Sequence, residues 1–188
     1  MIGLHRSDGS ERQKNDFYAT GCEAVHPLME FLNWEDGGKL IWENSCGQGH
    51  LSLPLQAYGH KVISTDLIDR GFGIGGVDFL KPSPFDHMPY DAIIMNPPYK
   101  NKKPQKFVEK ALTISNLVCA FLRIQFLEST GRIEFYKKTP PKYVLIFSWR
   151  CRSSKNAKFH KDEKSTQCYA WFIWEKGYSG DPIIKFIT

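Results

Sequence analysis

Short apolar runs alternate with amphipathic stretches through the first two-thirds of the chain, and apolar runs dominate the rest. The runs at 39–43, 61–65, 91–95 and 117–124 are brief, rich in Ile, Val and Leu, and flanked by polar or turn-forming residues, which predicts buried strands. Helical spacing fills the intervals: Ala24, Val25, Leu28, Phe31 and Leu32 within 23–32, the segment 51–58, and Phe107, Val108, Ala111, Leu112 and Ile114 within 106–116. Thr20 stands where a helix N-cap would open the first of these helices. A short helix within 126–136 is followed by strands at 142–147 and 167–176 and a last edge strand at 182–187. The pattern is α/β: a doubly wound mixed sheet with an antiparallel C-terminal hairpin. Residues 1–14 are polar and read as a flexible N-terminal tail, which leaves 15–188 as one domain.

In a sheet of this kind ligands sit over the C-terminal ends of the strands, so the residues there carry the candidate chemistry. The first strand ends at Glu43 and runs into Asn44-Ser45-Cys46-Gly47-Gln48-Gly49 before the second helix. Gly47 and Gly49 allow a ligand close to the backbone, and Glu43 suits a cationic amine. The second strand ends at Asp66, about twenty residues past the glycines, where a carboxylate fits a ribose diol. Residues 70–76 are glycine-rich and irregular, and 81–89 is a proline-bearing loop. Between them, Asp78 precedes Phe79, an aromatic that suits the flank of a purine and equally suits the core.

The third strand stops in Asn96-Pro97-Pro98-Tyr99. Consecutive prolines end the strand and stiffen the chain. The side-chain oxygen of Asn96 and the Pro97 carbonyl are acceptors for a planar amino group, with the Tyr99 ring to stack the base bearing it. Downstream, Lys100, Lys102 and Lys103 form a short basic loop, and 150–166 is a long polar stretch with Arg150, Arg152, Lys155 and Lys158. The first suits phosphates, although solvated charge is the commoner meaning of such a loop; a stretch as long as the second is often functional or disordered, and its cations are candidates for nucleic-acid contact.

Composition narrows the picture only slightly. A formal net charge of +5 over 188 residues is compatible with a polyanionic partner and does not require one. Cys22, Cys46, Cys119, Cys151 and Cys168 are scattered and odd in number, with neither a CxxC pair nor a zinc spacing. Reduced thiols, no metal and a cytoplasmic location are the expectation. No apolar run is long enough for a membrane span.

The order of an aromatic segment (Asp16-Phe17-Tyr18-Ala19-Thr20), glycine loop, second-strand acid, acid–aromatic pair and Asn-Pro-Pro-Tyr resembles the DNA adenine-N6 methyltransferases, particularly the small phage and prophage type. The likeness covers nearly the whole chain. It implies a Rossmann-like class I methyltransferase fold and S-adenosyl-L-methionine as cofactor. Phe17, Tyr18, Thr20, Glu43, Cys46, Gly47, Gly49, Asp66, Asp78, Phe79 and Asn96 would contact the cofactor, while Asn96, Pro97, Pro98 and Tyr99 would hold the target amine. The likeness also implies DNA as partner and a bacterial or phage-infected cell as setting. Gly21 departs from the family, which usually has proline there, and no segment is long enough for a separate target-recognition domain. Specificity would then come from loops, a homo-oligomer or a partner protein.

The Asn-Pro-Pro-Tyr motif also serves RNA adenine N6, guanine N2 and protein glutamine, since each offers a planar amine. A non-catalytic cofactor-binding subunit is a further reading. A nucleotide-dependent oxidoreductase fits less well, because Ser52 takes the third glycine position of its fingerprint. The absence of a Pro-Cys pair argues against covalent attack on a pyrimidine carbon.

Overall fold

The computed structural model describes residues 18–99, 103–151, 153–155 and 167–188, with the backbone alone for 18–20 and 153–155. Nine strands and four α-helices follow in order among these residues: β1 (Tyr18–Thr20), α1 (Val25–Leu32), β2 (Leu40–Glu43), α2 (Ser52–Ala57), β3 (Lys61–Ser64), β4 (Ala92–Met95), α3 (Lys103–Ile114), β5 (Leu117–Arg123), α4 (Ile133–Lys138), β6 (Tyr143–Phe147), β7 (Ser153–Lys155), β8 (Tyr169–Glu175) and β9 (Ile183–Ile187).

Seven strands form one sheet in the order β3-β2-β4-β5-β8-β6-β9. The first four are parallel. β8 runs antiparallel to both of its neighbours, β5 and β6. The antiparallel hairpin thus inserts β8 between β5 and β6 rather than adding it at the edge. β9 closes the far edge parallel to β6. The chain passes from β2 outward to β3 and returns on the opposite side of β2 as β4, which makes the β2/β4 boundary a topological switch point.

Alternation along the strands divides the core between two faces. On one, Ile41, Ala92, Ile94, Cys119, Phe121, Trp171 and Ile173 pack against Val25, Leu28 and Met29 of α1, Leu55 of α2 and Leu51 just before it. On the other, Trp42, Ile93, Met95, Val118, Ala120, Leu122, Phe172 and Trp174 meet Phe107, Val108 and Ala111 of α3 and Phe135 of α4. Trp171 also donates from Nε1 to the Ala24 carbonyl at 2.8 Å, fixing the start of α1 against the sheet. Asp91 is spent at the opposite end from the ligand side, accepting the Leu40 amide at 2.7 Å.

Three local expectations need correction. Thr20 lies in β1 and does not cap a helix; Gly21 precedes a 3-10 turn, Cys22–Ala24, and α1 starts after it. The basic loop after Tyr99 gives way to helix at Lys103, because Pro104 sits in the first turn, where its missing N–H costs no hydrogen bond. The helix expected within 126–136 breaks into 3-10 turns at Ile124–Leu127 and Thr130–Arg132 before α4, with Gly131 inside the second turn. One pairing was not anticipated: β1 runs antiparallel to β7, with Ala19 opposite Ser154, joining the aromatic segment to the long polar stretch.

Candidate active site

The loop after β2 turns because Gly47 and Gly49 adopt φ of 55° and 85°, a region that disfavours side chains. Its amides and hydroxyls tie it to both neighbouring strands. The Cys46 amide donates to the Thr65 carbonyl at 3.0 Å, and the Gly47 amide donates to Asp66 Oδ2 at 2.9 Å. Asp66 Oδ1 accepts the Ile68 amide at 2.8 Å. The carboxylate is therefore aimed by two backbone donors and keeps lone pairs for a diol. Toward β4, Ser45 Oγ donates to the Asn96 carbonyl at 3.0 Å, and Asn44 Nδ2 reaches the Met95 sulfur at 3.6 Å. The glycine loop and the Asn-Pro-Pro-Tyr turn are thus one connected structure across the switch point.

Glu43 is 2% exposed and accepts a hydrogen bond from the Ser52 hydroxyl, which lies 2.6 Å from that of Ser64. Burial pushes its carboxyl up to about 7. Through Ser52 these contacts join the end of β2 to the first turn of α2 and to β3. Cys46 is also buried, its thiol pushed up to about 12, and it donates to the Phe72 carbonyl at 3.6 Å. The irregular 70–76 segment brings the Phe72 ring over Gly49, where an added Cβ would stand 2.6 Å from a ring carbon. The φ of 85° and this ring both disfavour a side chain at Gly49 whatever ligand is bound.

Of the acid–aromatic pair, Asp78 reaches the surface and its Oδ1 accepts the Leu80 amide at 3.1 Å. The Val77 amide donates to the Asp66 carbonyl at 3.0 Å, which places the pair beside the second-strand acid. Phe79 is 2% exposed, with the Trp42 and Phe107 rings at 5.1 and 4.9 Å and Lys110 Nζ over its face at 5.1 Å. Core packing accounts for this aromatic, and its faces are taken by protein rather than offered to a purine.

At the end of β4, the Tyr99 hydroxyl donates to Asn96 Oδ1 at 2.6 Å and lies 3.2 Å from the Phe121 carbonyl. The shorter contact fixes the Asn96 amide with its oxygen toward the tyrosine. The Arg123 guanidinium lies over the Tyr99 ring at 5.0 Å, and the Tyr169 ring is 6.4 Å away. Tyr169 stacks on Phe121 with centroids 4.9 Å apart. Pattern reading missed Ser45, Ser52, Phe72, Arg123 and Tyr169. The two serines flank the glycines in sequence; the other three reach the site only through strand order and loop path, which carry no local signal.

Of the expected phosphate contacts, Lys103 is half-buried in the first turn of α3 and Arg150 is exposed after β6. Lys155, like Tyr18 and Thr20, is placed by its backbone alone, whereas Phe17, Lys100, Lys102, Arg152 and Lys158 lie outside the described residues. Among the described residues, no cluster of three or more His, Cys, Asp or Glu side chains could hold a metal, and no helix is long and apolar enough to cross a membrane.

No protein-family model matches the chain, and no curated protein matches it. Solved structures do. A candidate RNA methyltransferase from Pyrococcus horikoshii superposes with a TM-score of 0.57 at 18% identity, covering 82% of this chain and 83% of its own. The modification subunit of a candidate type I restriction enzyme from Vibrio vulnificus gives 0.61 at 11% identity over 96% of this chain and 49% of its own. A 16S rRNA guanine-N2 methyltransferase of T. thermophilus, solved with S-adenosylmethionine and guanosine, gives 0.50 at 16% identity over 90% of this chain and 45% of its own. At these identities the likeness speaks for architecture, and the architecture is the Rossmann-like class I methyltransferase fold.

Proposed function

We propose that this protein transfers a methyl group from S-adenosylmethionine to the exocyclic N6 amine of adenine in DNA. The observation that carries this reading is Asn96 with its amide oxygen fixed by the Tyr99 hydroxyl, on a turn hydrogen-bonded through Ser45 to the glycine loop.

The residues at the switch point fit the cofactor. Gly47, Asp66 and Asp78 stand on one side of it and Asn96 on the other, so the amine-holding turn borders the place where a nucleoside would lie. When bound, the cofactor supplies an electrophilic methyl group on a sulfonium. The chain's part is to present the amine. Adenine N6 is a weak nucleophile because its lone pair is delocalised into the ring. Asn96 Oδ1 and the Pro97 carbonyl accept hydrogen bonds from its two N–H groups, drawing density toward nitrogen as it leaves the ring plane, and one of these N6 protons would pass to solvent once the methyl group is taken up. This contribution is positioning and electrostatic stabilisation, with no side-chain nucleophile. The base, extruded from its stack at a cost of a few kcal/mol, lies against the Tyr99 ring, whose other face is covered by Arg123.

A second reading keeps the chemistry and changes the polymer: an amine on an RNA base, which the two RNA-methyltransferase neighbours favour by fold and name. Incubation with methyl-labelled cofactor and unmethylated DNA, total RNA or a protein extract, followed by mass spectrometry of the digests, separates them. N6-methyladenine in DNA is the expected product. Label in RNA alone would replace DNA as the substrate, and label in glutamine would overturn the nucleic-acid reading.

A further inference from the structure

A cleft of about 210 Å³ opens on the same edge of the sheet as Asn96, between the C-terminal end of β6 and the start of β8. Ile124 and Ile146 line it with apolar surface, Tyr169 and Cys168 contribute from β8 and the residue before it, and Trp149, Arg150 and Gln167 line it too. The volume is that of about seven waters, room for one heterocyclic base and little else. Trp149 is held edge-on to Phe147 at 5.1 Å and is 36% exposed, which leaves ring surface open to the cleft. The Arg150 guanidinium is exposed and hydrogen-bonds the Cys168 sulfur.

The cleft continues the amine site. Tyr169 lines it while standing 6.4 Å from Tyr99, and Tyr169 pairs across the sheet with Arg123, whose guanidinium covers Tyr99. Two strand spacings, roughly 10 Å, separate β4 from β8, a reach suited to neighbouring nucleotides of an unstacked strand. An aromatic platform, an apolar lining, a guanidinium and an amide able both to donate and to accept are the parts of a single-strand base subsite.

We infer that this cleft binds a base flanking the target adenine, stacked on Trp149 with its backbone phosphate near Arg150 and its edge read by Gln167. This rests on the function proposed above and extends it, since it adds a preference for neighbouring bases to the amine site. Trp149 and Arg150 are positioning groups for the strand and do not touch the reacting atoms.

The test is binding of fluorescein-labelled 12-nucleotide single strands, DNA and RNA, with one adenine and varied neighbours, by the wild-type protein, Trp149→Ala and Trp149→Phe. Trp149→Ala is expected to weaken binding at least tenfold and to flatten the preference among neighbouring bases, with affinity for S-adenosylmethionine unchanged; Trp149→Phe should bind within about threefold of wild type, in line with about 1–3 kcal/mol per stacked base. Equal affinity and equal preference in wild type and Trp149→Ala would overturn the subsite, as would no binding by either. Methyl transfer to the same strands separates the two proposals. Binding lost in Trp149→Ala without transfer by the wild type would sink the proposed reaction and leave the subsite standing. Transfer unaffected by Trp149→Ala would do the reverse.

Discussion

The hydrogen bond from Tyr99 to Asn96 Oδ1 gives the tyrosine two separable duties, orienting the amide and stacking the base. Tyr99→Phe keeps the ring and loses the hydroxyl, so kcat/KM should fall about tenfold or less, the worth of one hydrogen bond. Tyr99→Ala loses the stacking as well and should fall a further tenfold or more; equal losses in the two variants would show that the ring contributes nothing. Glu43 gives a pH signature of a different kind. Its carboxyl is raised by burial from 4.5 to about 7 in the native state, so the native state binds the extra proton between these values. Its stabilising contribution is complete below the lower value and is lost as pH rises through the higher one, by up to about 3 kcal/mol. Glu43→Gln mimics the protonated form, and in urea unfolding its stability relative to wild type should climb from pH 4.5 to pH 8; a difference that does not vary with pH would contradict this. Asn96 and Tyr99 were legible in the sequence because their spacing is local. The burial of Glu43 was not, since it depends on how α2 brings Ser52 against the end of β2.

The elements follow the pattern of apolar positions where packing is local and depart from it where backbone chemistry intervenes. All four parallel strands at the site fall within a residue or two of the expected bounds, because each is a run buried among neighbours. The 70–76 segment was legible only as irregular, yet it places Phe72 on Gly49 and supplies the acceptor for Cys46. Gly49→Ala should therefore cost about 1–3 kcal/mol, from a φ of 85° unfavourable to alanine and from the clash with the ring. In a Phe72→Ala background the same change should cost measurably less, since only the backbone part remains; a double-mutant cycle by thermal or denaturant unfolding reads the difference. Strictly additive costs would mean that the ring is not what excludes a side chain there. The pairing of β1 with β7 had no sequence signature, because three-residue strands are too short to show a period.

Across the whole molecule, strand order does what no single segment does. Insertion of β8 between β5 and β6 brings Tyr169 beside Tyr99, although the two are seventy residues apart in sequence. The near-continuous apolar run of β8 announces a strand buried on both faces, and all but its last residue are buried; which strands flank it cannot be read from hydropathy. β9 shows the converse, with four of five residues exposed at the sheet's edge. The switch point was legible because Glu43, Asp66 and Asn96 lie at or just past the ends of β2, β3 and β4. The central claim is that this face holds a cofactor and a planar amine together, with Asn96 reserved for the amine's transfer. Its most direct measurement is methyl transfer to unmethylated DNA by Asn96→Ala beside the wild type, with S-adenosylmethionine affinity measured by calorimetry on both. N6-methyladenine formation should drop at least a hundredfold, the scale seen when a transition-state acceptor or donor is removed, while cofactor affinity changes by less than about tenfold. Transfer by Asn96→Ala near the wild-type rate would contradict the central claim.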